Sequence, residues 1–268
     1  MPKKRKKTLL WKIKSPDLEG YSYVFGTMHV QDKRVFSFLP ALEELILECD
    51  AIANEFNLDE LENAPSGHNQ LLLPEGQTIR DILSPKRCKK LAAILKKEMN
   101  LDLKVVERNS PFTIINLLAQ LSLKSEMPQS LDATLWQFAK MNDKTSLGLE
   151  TLKNQMAIVH NMPMAYQLKN LNNSIKNFTK SQKDTDKVMK LYVEQDIFAL
   201  YKATRRNLKE MRKILLFNRN ELMAQRIAEL SAKQNVFFAI GAAHLAGKNG
   251  VLRLIKKAGL KINPASLK

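Results

Sequence analysis

The sequence predicts an α/β protein with a mixed, mostly parallel central sheet, built from two βαβ-type halves with a large helical insertion between them. Apolar runs at residues 23–25 and 236–240 each lead into a Gly-x-x-His motif, and these motifs end at His29 and His244. A glycine at the carboxyl end of a strand permits a tight turn, and open α/β sheets bind ligands at that edge. Residues 78–216 carry mainly helical patterns and form the predicted insertion.

Length and composition allow one large domain or two small ones, and the cysteine content indicates a reducing compartment. The chain has 268 residues, of which 44% are hydrophobic, and this supports a sizeable core. We expect residues 1–8 to be a disordered basic tail and residues 9–268 to be a single domain. No apolar run reaches the roughly 18–20 residues of a membrane span, and the basic start does not continue into a secretory signal. With only two cysteines, in unrelated contexts, a cytoplasmic protein is predicted.

The charge of the chain is strongly positive, because 43 basic residues outnumber 27 acidic ones and give a formal net charge of +16. The basic run at residues 3–7 is similar to a nuclear localisation signal or a nucleic-acid-binding arm, although a solvated terminus is the simpler explanation. Aromatic residues make up 7% of the chain and do not alternate with basic ones, so no nucleic-acid partner is predicted.

The first half begins with a predicted hairpin. Residues 9–13 and 21–25 have strand patterns, and a Ser-Pro-Asp turn lies between them. A helix follows, and the short strand at residues 51–53 then runs towards Glu55. Because the strands of a strand–helix–strand unit are parallel, Glu55 and His29 are predicted at the same edge of the sheet.

The middle of the chain is predicted to be helical apart from one strand. Ser-Pro pairs begin two helices, at Ser84 and Ser110, and Asp132 is the expected N-cap of a third. Residues 145–150 form a short strand that ends in Glu150. Glu150 is therefore the second carboxylate at a strand end.

The second half repeats the layout of the first. A helix that starts near residue 217 leads into the second Gly-x-x-His strand, and a further helix and a last strand at residues 260–262 follow. Two other histidines have ordinary structural explanations. His68 lies in a polar loop and is expected at the surface, and His160 ends a helix, where the dipole favours a cation.

Two histidines and two glutamates thus lie at or just past strand ends, namely His29, Glu55, Glu150 and His244. Imidazole and carboxylate groups bind Mn, Co, Zn or Fe(II), and such a metal polarises a carbonyl and lowers the pKa of bound water towards about 7. The spacing leaves two alternatives open, a metal site or two structural histidines. Because the motif is repeated in similar contexts, the metal site and the structural histidines have equal support.

The motifs together resemble the TraB/PrgY/GumN family. The resemblance covers nearly the whole chain after the basic tail, and the order and spacing of the motifs also agree. It is carried by residues 10–13, 24–30, 149–151 with Gln155, 219–220 with 223–224 and Ile227, and 240–247, together with Glu55, residues 78–83 and Asp132.

The resemblance implies a fold and an activity. The fold would be similar to those of erythromycin esterase (EreA) and the haem-binding ChaN proteins. The family includes the animal Tiki proteins, which are metal-dependent peptidases that rely on two G-x-x-H motifs and a glutamate. By resemblance, His29 and His244 would be metal ligands or catalytic histidines, Glu55 and Glu150 would supply carboxylates, and a divalent Mn, Co or Zn ion would be the cofactor.

Residues near these four are expected to support the site. Arg219 matches an Arg-Asn motif of the family, and it either stabilises an oxyanion or a substrate carboxylate, or forms a salt bridge to one of the glutamates. Gln155 and Asn220 are expected beside the ligands as hydrogen-bonding groups, and Gly26 and Gly241 as turn residues.

We expect a metal-dependent hydrolase, and more specifically a peptidase with a peptide or protein substrate, in which Glu55, Glu150 and Arg219 are catalytic. The alternative is a non-catalytic haem-, metal- or peptide-binding protein of the ChaN or pheromone-shutdown type. Methionines such as Met162 cluster around His160, and methionine ligates haem. The sequence does not determine the oligomeric state.

Overall fold

The computed structural model describes residues 6–16, 18–62, 71–123, 125–208 and 211–267. Residues 1–5 of the predicted tail and His68 lie outside these ranges. The described residues belong to two compact units. The first comprises Met1–Glu60, Ser125–Gln155 and Lys187–Lys268, and the second comprises Leu61–Lys124 and Met156–Asp186.

An open six-stranded sheet lies in the first unit. Its strands are β1 (Leu10–Lys14), β2 (Ser22–Thr27), β3 (Ala51–Phe56), β4 (Thr145–Glu150), β5 (Val236–Gly241) and β6 (Lys261–Pro264). The strand order is β4-β3-β5-β2-β1-β6. Neighbours among β2 to β5 pair in parallel, whereas β1 pairs antiparallel with both β2 and β6, which confirms the predicted mixed, mostly parallel sheet.

The central strands are buried on both faces. Every residue of β2 is buried, and so are all residues of β5 except Gly241. Continuous apolar runs of this kind, rather than an alternation of apolar and polar residues, are typical of parallel strands covered on both sides. The aromatic rings of Phe25 and Phe237, on paired strands, lie 6.4 Å apart within this core.

Helices account for most of the remaining structure. A 3₁₀ helix spans Lys33–Phe38, and a π-helical segment, Lys213–Asn218, runs directly into the twelfth α-helix. The α-helices are α1 (Leu39–Leu47), α2 (Asp59–Glu62), α3 (Ile79–Ile82), α4 (Pro85–Met99), α5 (Leu103–Val106), α6 (Pro111–Leu121), α7 (Leu131–Met141), α8 (Leu152–His160), α9 (Met164–Lys176), α10 (Phe178–Val193), α11 (Ile197–Leu208), α12 (Arg219–Ser231), α13 (Ala242–Leu245) and α14 (Val251–Lys257).

The two units have separate cores. In the first, α1, α7, α12 and α13 contact the sheet. In the second, α4 and α6 both pack against α9. The second core consists of apolar side chains from these helices and their neighbours, namely Leu73, Ile79, Leu83, Leu91, Ile94, Leu95, Leu103, Val106, Ile114, Leu118, Leu171, Ile175 and Phe178.

The predicted hairpin and the predicted helix starts at Ser84 and Ser110 are confirmed. The predicted N-cap of α7 is wrong by two residues. Ser130 is the N-cap, because its hydroxyl accepts a hydrogen bond from Ala133 N, and Asp132 lies inside the first turn. Serine and aspartate are both good N-caps, so composition alone does not choose between them.

The prediction that the second half repeats the layout of the first is wrong at the last strand. β6 follows β5 and α14 in the chain, yet it pairs antiparallel with β1 at the end of the sheet. The place beside β5 is already filled on both sides, by β2 and β3. Among the described residues, no helix combines the length and the apolar character needed to cross a bilayer.

Candidate functional site

The carboxyl ends of the parallel strands form one edge of the sheet. Thr27, the last residue of β2, pairs with Gly241, the last residue of β5. On the other side of β5, Phe56 at the end of β3 pairs with Glu150 at the end of β4. Both Gly-x-x-His motifs and both glutamates therefore leave the sheet at the same edge.

Arg219, the first residue of α12, joins the two glutamates. Its Nε donates to Glu150 Oε1 at 3.0 Å and to Oε2 at 3.2 Å, and its Nη2 donates to Glu55 Oε2 at 2.6 Å. The Arg219 side chain is 15% exposed. The structure thus shows the salt bridge that was one of the two roles predicted for Arg219. This salt bridge fixes the two carboxylates relative to each other.

Glu55 is held in its ionised form. Its Oε1 accepts a hydrogen bond from Gly241 N at 2.8 Å. Burial alone would raise the pKa of Glu55, but His244 when protonated, the Arg219 charge and the hydrogen bonds from Gly241 and Arg219 lower it to about 2. Gly241 leaves room for this contact, because a Cβ atom there would lie 3.0 Å from Glu55 Oε1, closer than most Cβ contacts.

The pKa of Glu150 is shifted in the opposite direction, upwards. Its side chain is 1% exposed, and burial raises its pKa to about 7, against the Arg219 charge and with a further contribution from the negative charge of Glu55. Two carboxylates that share one arginine cannot both ionise at low cost, so their pKa values move apart. Near neutral pH the structure therefore holds one firmly ionised glutamate and one that exchanges a proton.

His244 is buried and bound at one nitrogen. Its Nδ1 lies 2.5 Å from Asn220 Oδ1, and Asn220 Nδ2 donates to Asn249 O at 2.6 Å. Because the amide nitrogen of Asn220 is engaged with a carbonyl, its oxygen faces the histidine, and we assign the proton to Nδ1. Burial lowers the pKa of His244 to about 4, with Glu55 opposing and Arg219 adding to this effect. At neutral pH His244 is therefore neutral, with a free lone pair on Nε2.

The lone pair of His244 faces an ionised carboxylate. The distance between His244 Nε2 and Glu55 Oε1 is 3.7 Å. Neither atom carries a proton in the assigned state, so two electron-pair donors face each other across a gap. A neutral imidazole and a carboxylate are ligand types that divalent Zn, Mn or Co accepts, so the chemistry of this pair is compatible with such a metal.

His29 lies apart from this cluster in its contacts. Its side chain is 75% exposed, and its Nδ1 lies 3.3 Å from Ser130 Oγ and 3.6 Å from Asp132 Oδ2. Asp132 raises the pKa of His29, a further rise comes from Glu55, and burial opposes both. Among the described residues, no group of three or more His, Cys, Asp and Glu side chains is arranged to hold a metal ion. The structure thus brings together Glu55, Glu150 and His244, and it places His29 beside Asp132.

Gly26 lets the first motif pack against the second. A Cβ atom at this position would lie 2.7 Å from Leu245 Cδ1 and 3.1 Å from Ala242 Cα. Gly26 O also accepts a hydrogen bond at 2.8 Å from Tyr192 OH, which is fully buried. Tyr192 and Asp132 were not expected as neighbours of the motifs. The sequence shows Tyr192 as part of an apolar helical stripe, and it shows Asp132 at a helix start and among the residues that resemble the family, without a role in the site.

Gln155 and His160 are two further residues for which the sequence suggests a role. Gln155 has a buried Nε2 that donates to none of the described residues, so its predicted hydrogen bond within the site stays a prediction. His160 is exposed, and its Nδ1 is engaged with Met156 O at 2.9 Å, while Met162 is buried. No contact of His160 favours its use as a haem ligand.

The fold and the site define a class, that of α/β proteins with a buried polar cluster at the carboxyl edge of a mostly parallel sheet. The model of the TraB/PrgY/gumN family matches residues 9–264 of the chain. The chain belongs to this family, which confirms the resemblance found in the motifs.

Curated relatives of the chain are named as metalloproteases. Metalloprotease TIKI1 of Danio rerio is 22% identical over 95% of this chain, and Metalloprotease TIKI1 of Homo sapiens is 22% identical over 96% of it. Metalloprotease TIKI2 of Danio rerio is 21% identical over 95% of this chain. The chain spans 60–62% of the length of these relatives. No solved structure matches the chain significantly.

Proposed function

We propose that the chain is a metal-dependent hydrolase, and specifically a peptidase, whose centre comprises His29, Glu55, Glu150 and His244. The observation that carries the proposal is the 3.7 Å approach of His244 Nε2 to Glu55 Oε1, with both atoms free of protons at neutral pH. The names of the curated relatives, which are metalloproteases, support the same class of activity. A peptide or protein would be the substrate.

The four proposed ligands differ in their contacts, and therefore in how readily a metal could reach them. Glu55 and His244 lie 3.7 Å apart, and the exposed His29, which contacts Asp132 and Ser130, would complete the set. Glu150 is the remaining carboxylate of the set, although Arg219 holds both of its oxygens. A bound Mn, Co or Zn ion would supply Lewis acidity, which polarises a peptide carbonyl and makes water a nucleophile near neutral pH.

The two glutamates would have different roles in the reaction. Glu55 is ionised at all ordinary pH values and 24% exposed, so it is the carboxylate that a ligand reaches. Glu150 has a pKa of about 7, which suits a group that takes up a proton when water attacks and returns it to the leaving amine. Arg219 orients both carboxylates and keeps the charge of the centre low enough for a buried position.

Metal uptake and cleavage of a peptide library test this proposal. The purified protein, loaded in turn with Mn²⁺, Co²⁺ and Zn²⁺, is expected to bind close to one equivalent and to cut a defined set of peptides, read by mass spectrometry. His244→Ala and Glu55→Gln should lose both metal and cleavage. His160→Ala removes an exposed histidine outside the centre and should keep both. Cleavage at the wild-type rate by the H29A/H244A double variant would overturn the proposal.

A further inference from the structure

The two histidines of the motifs are held in a matched way. In each case Nδ1 lies near an oxygen atom from the second residue of a helix that is remote in the chain. For His244 this residue is Asn220, the second residue of α12, and its oxygen lies 2.5 Å away. For His29 it is Asp132, the second residue of α7, and its oxygen lies 3.6 Å away. The repeat in the sequence therefore has a counterpart in the partners of its histidines.

The Asp132 oxygen that lies nearest to His29 has no hydrogen-bond partner among the described residues. The Asp132 side chain is 14% exposed, and Oδ2 is buried without a hydrogen bond from any residue that the structure describes. A buried charged oxygen that lacks a donor is costly. The imidazole is a donor that lies near both oxygens, since His29 Nδ1 is 3.3 Å from Ser130 Oγ and 3.6 Å from Asp132 Oδ2. The Ser130 hydroxyl accepts from Ala133 N as the N-cap of α7 and keeps its own proton to donate.

We propose that Asp132 is a positioning residue for His29. Its carboxylate holds the proton of the neutral imidazole on Nδ1, so that Nε2 keeps its lone pair for a ligand, as Asn220 does for His244. The use of that lone pair for a metal rests on the proposed function. The position of the proton does not rest on it, and this separates the two in an experiment.

The different chemistry of the two partners follows from burial. His244 is 7% exposed and is paired with a neutral amide, which adds no charge to a buried site that already holds Arg219 and two glutamates. His29 is exposed and is paired with a carboxylate, which lies in the first turn of α7, where the helix dipole favours negative charge. An aspartate is therefore tolerated beside His29, the exposed histidine.

The proton position can be measured in the metal-free protein. ¹⁵N-labelled protein is observed by long-range ¹H–¹⁵N correlation at an alkaline pH beyond which the ¹⁵N shifts of His29 no longer change, so that the neutral imidazole is the form observed. His29 in the wild type should be mainly the Nδ1–H tautomer. In Asp132→Ala the Nδ1–H fraction should fall at least twofold. Glu221→Ala removes an exposed carboxylate from the first turn of α12, away from His29, and should leave the His29 tautomer unchanged.

A second variant and a second readout make the result decisive. Asp132→Asn is nearly isosteric and can offer either an oxygen or an N–H to Nδ1, so its Nδ1–H fraction should lie below that of the wild type even if D132A fails to fold. Zn²⁺ affinity by calorimetry should fall about 10- to 100-fold in both variants. If the tautomer changes while the wild type binds no metal, the positioning role stands and the proposed metal centre fails. An unchanged tautomer in D132N or D132A overturns the positioning role, and loss of Zn²⁺ without a tautomer change would make Asp132 itself a ligand.

Discussion

Replacement of Arg219 by methionine removes the cation between Glu55 and Glu150. Methionine keeps most of the apolar length of the side chain and donates no hydrogen bond. Three donated bonds are lost, one to Glu55 and two to Glu150. Two carboxylates then share a site in which the structure provides no other arginine or lysine contact among the described residues.

The cost of this change is large for a single substitution. Removal of one partner from a buried ion pair costs about 3–5 kcal/mol, because the other charge stays buried without compensation. For a protein of this size about 1 kcal/mol shifts the melting temperature by roughly 2–4 °C, so Arg219→Met should melt roughly 6–20 °C below the wild type.

Glu150 sets the pH dependence of this loss. Its pKa in the folded protein is raised to about 7 from an ordinary value of 4.5. A raised carboxyl pKa gives stability that is complete below the unfolded pKa and is lost as the pH rises through the folded pKa. Without Arg219 the two carboxylates repel each other more as they ionise, so the difference between variant and wild type should be smallest at about pH 5 and largest above about pH 8.

Denaturation with urea, followed by circular dichroism at several pH values, measures these differences. Arg226→Met is the matched control, since Arg226 lies on the same helix, is 42% exposed and forms one ion pair with Glu229. Exposed pairs contribute about 0–1 kcal/mol, so this control should stay close to the wild type. A loss below about 1 kcal/mol in R219M, or a loss that does not vary with pH, would refute the reasoning.

Three further predictions concern the same unit. Gly241→Ala places a Cβ atom 3.0 Å from Glu55 Oε1, so it should cost about 1–3 kcal/mol in urea denaturation, and no change would contradict the packing described above. Zn²⁺ affinity should rise with pH through about 7, because a proton on Glu150 disfavours the dication. Calorimetry should show a flatter pH profile in Glu150→Gln, and equal slopes in the two proteins would refute this. Tyr192→Phe removes the buried donor to Gly26 O, so it should cost about 1–3 kcal/mol in thermal unfolding. An unchanged melting temperature would show that this bond contributes nothing.

Local pattern is sufficient to predict the strands and the edge of the sheet. Continuous apolar runs identify β2 and β5, and a helix between two strands favours parallel strands, a rule that holds for β2 to β5 but not for β6. From these two rules alone, Glu55, Glu150 and both histidines are expected at the carboxyl ends of strands. The structure confirms that edge through the pairing of Thr27 with Gly241 and of Phe56 with Glu150.

The contacts within the site depend on tertiary packing, which one sequence does not encode in a readable way. Arg219 lies 164 residues from Glu55 and 69 from Glu150, and a single arginine in a helix has many possible partners. His29 and Asp132 are likewise brought together only by the packing of α7 near the end of β2. The N-cap of α7 was misplaced because Ser130 and Asp132 are equally good by residue type.

The separations along the chain also bear on how the protein folds. The first unit is assembled from three segments of the chain, and the bond between Glu55 and Gly241 closes a loop of 186 residues. Long-range pairings of this kind must overcome loop-closure entropy before they contribute energy, and they slow folding. The centre therefore cannot form on any isolated fragment of the sheet. During refolding, any capacity of the proposed centre to bind a metal should appear only after these long-range pairings have formed.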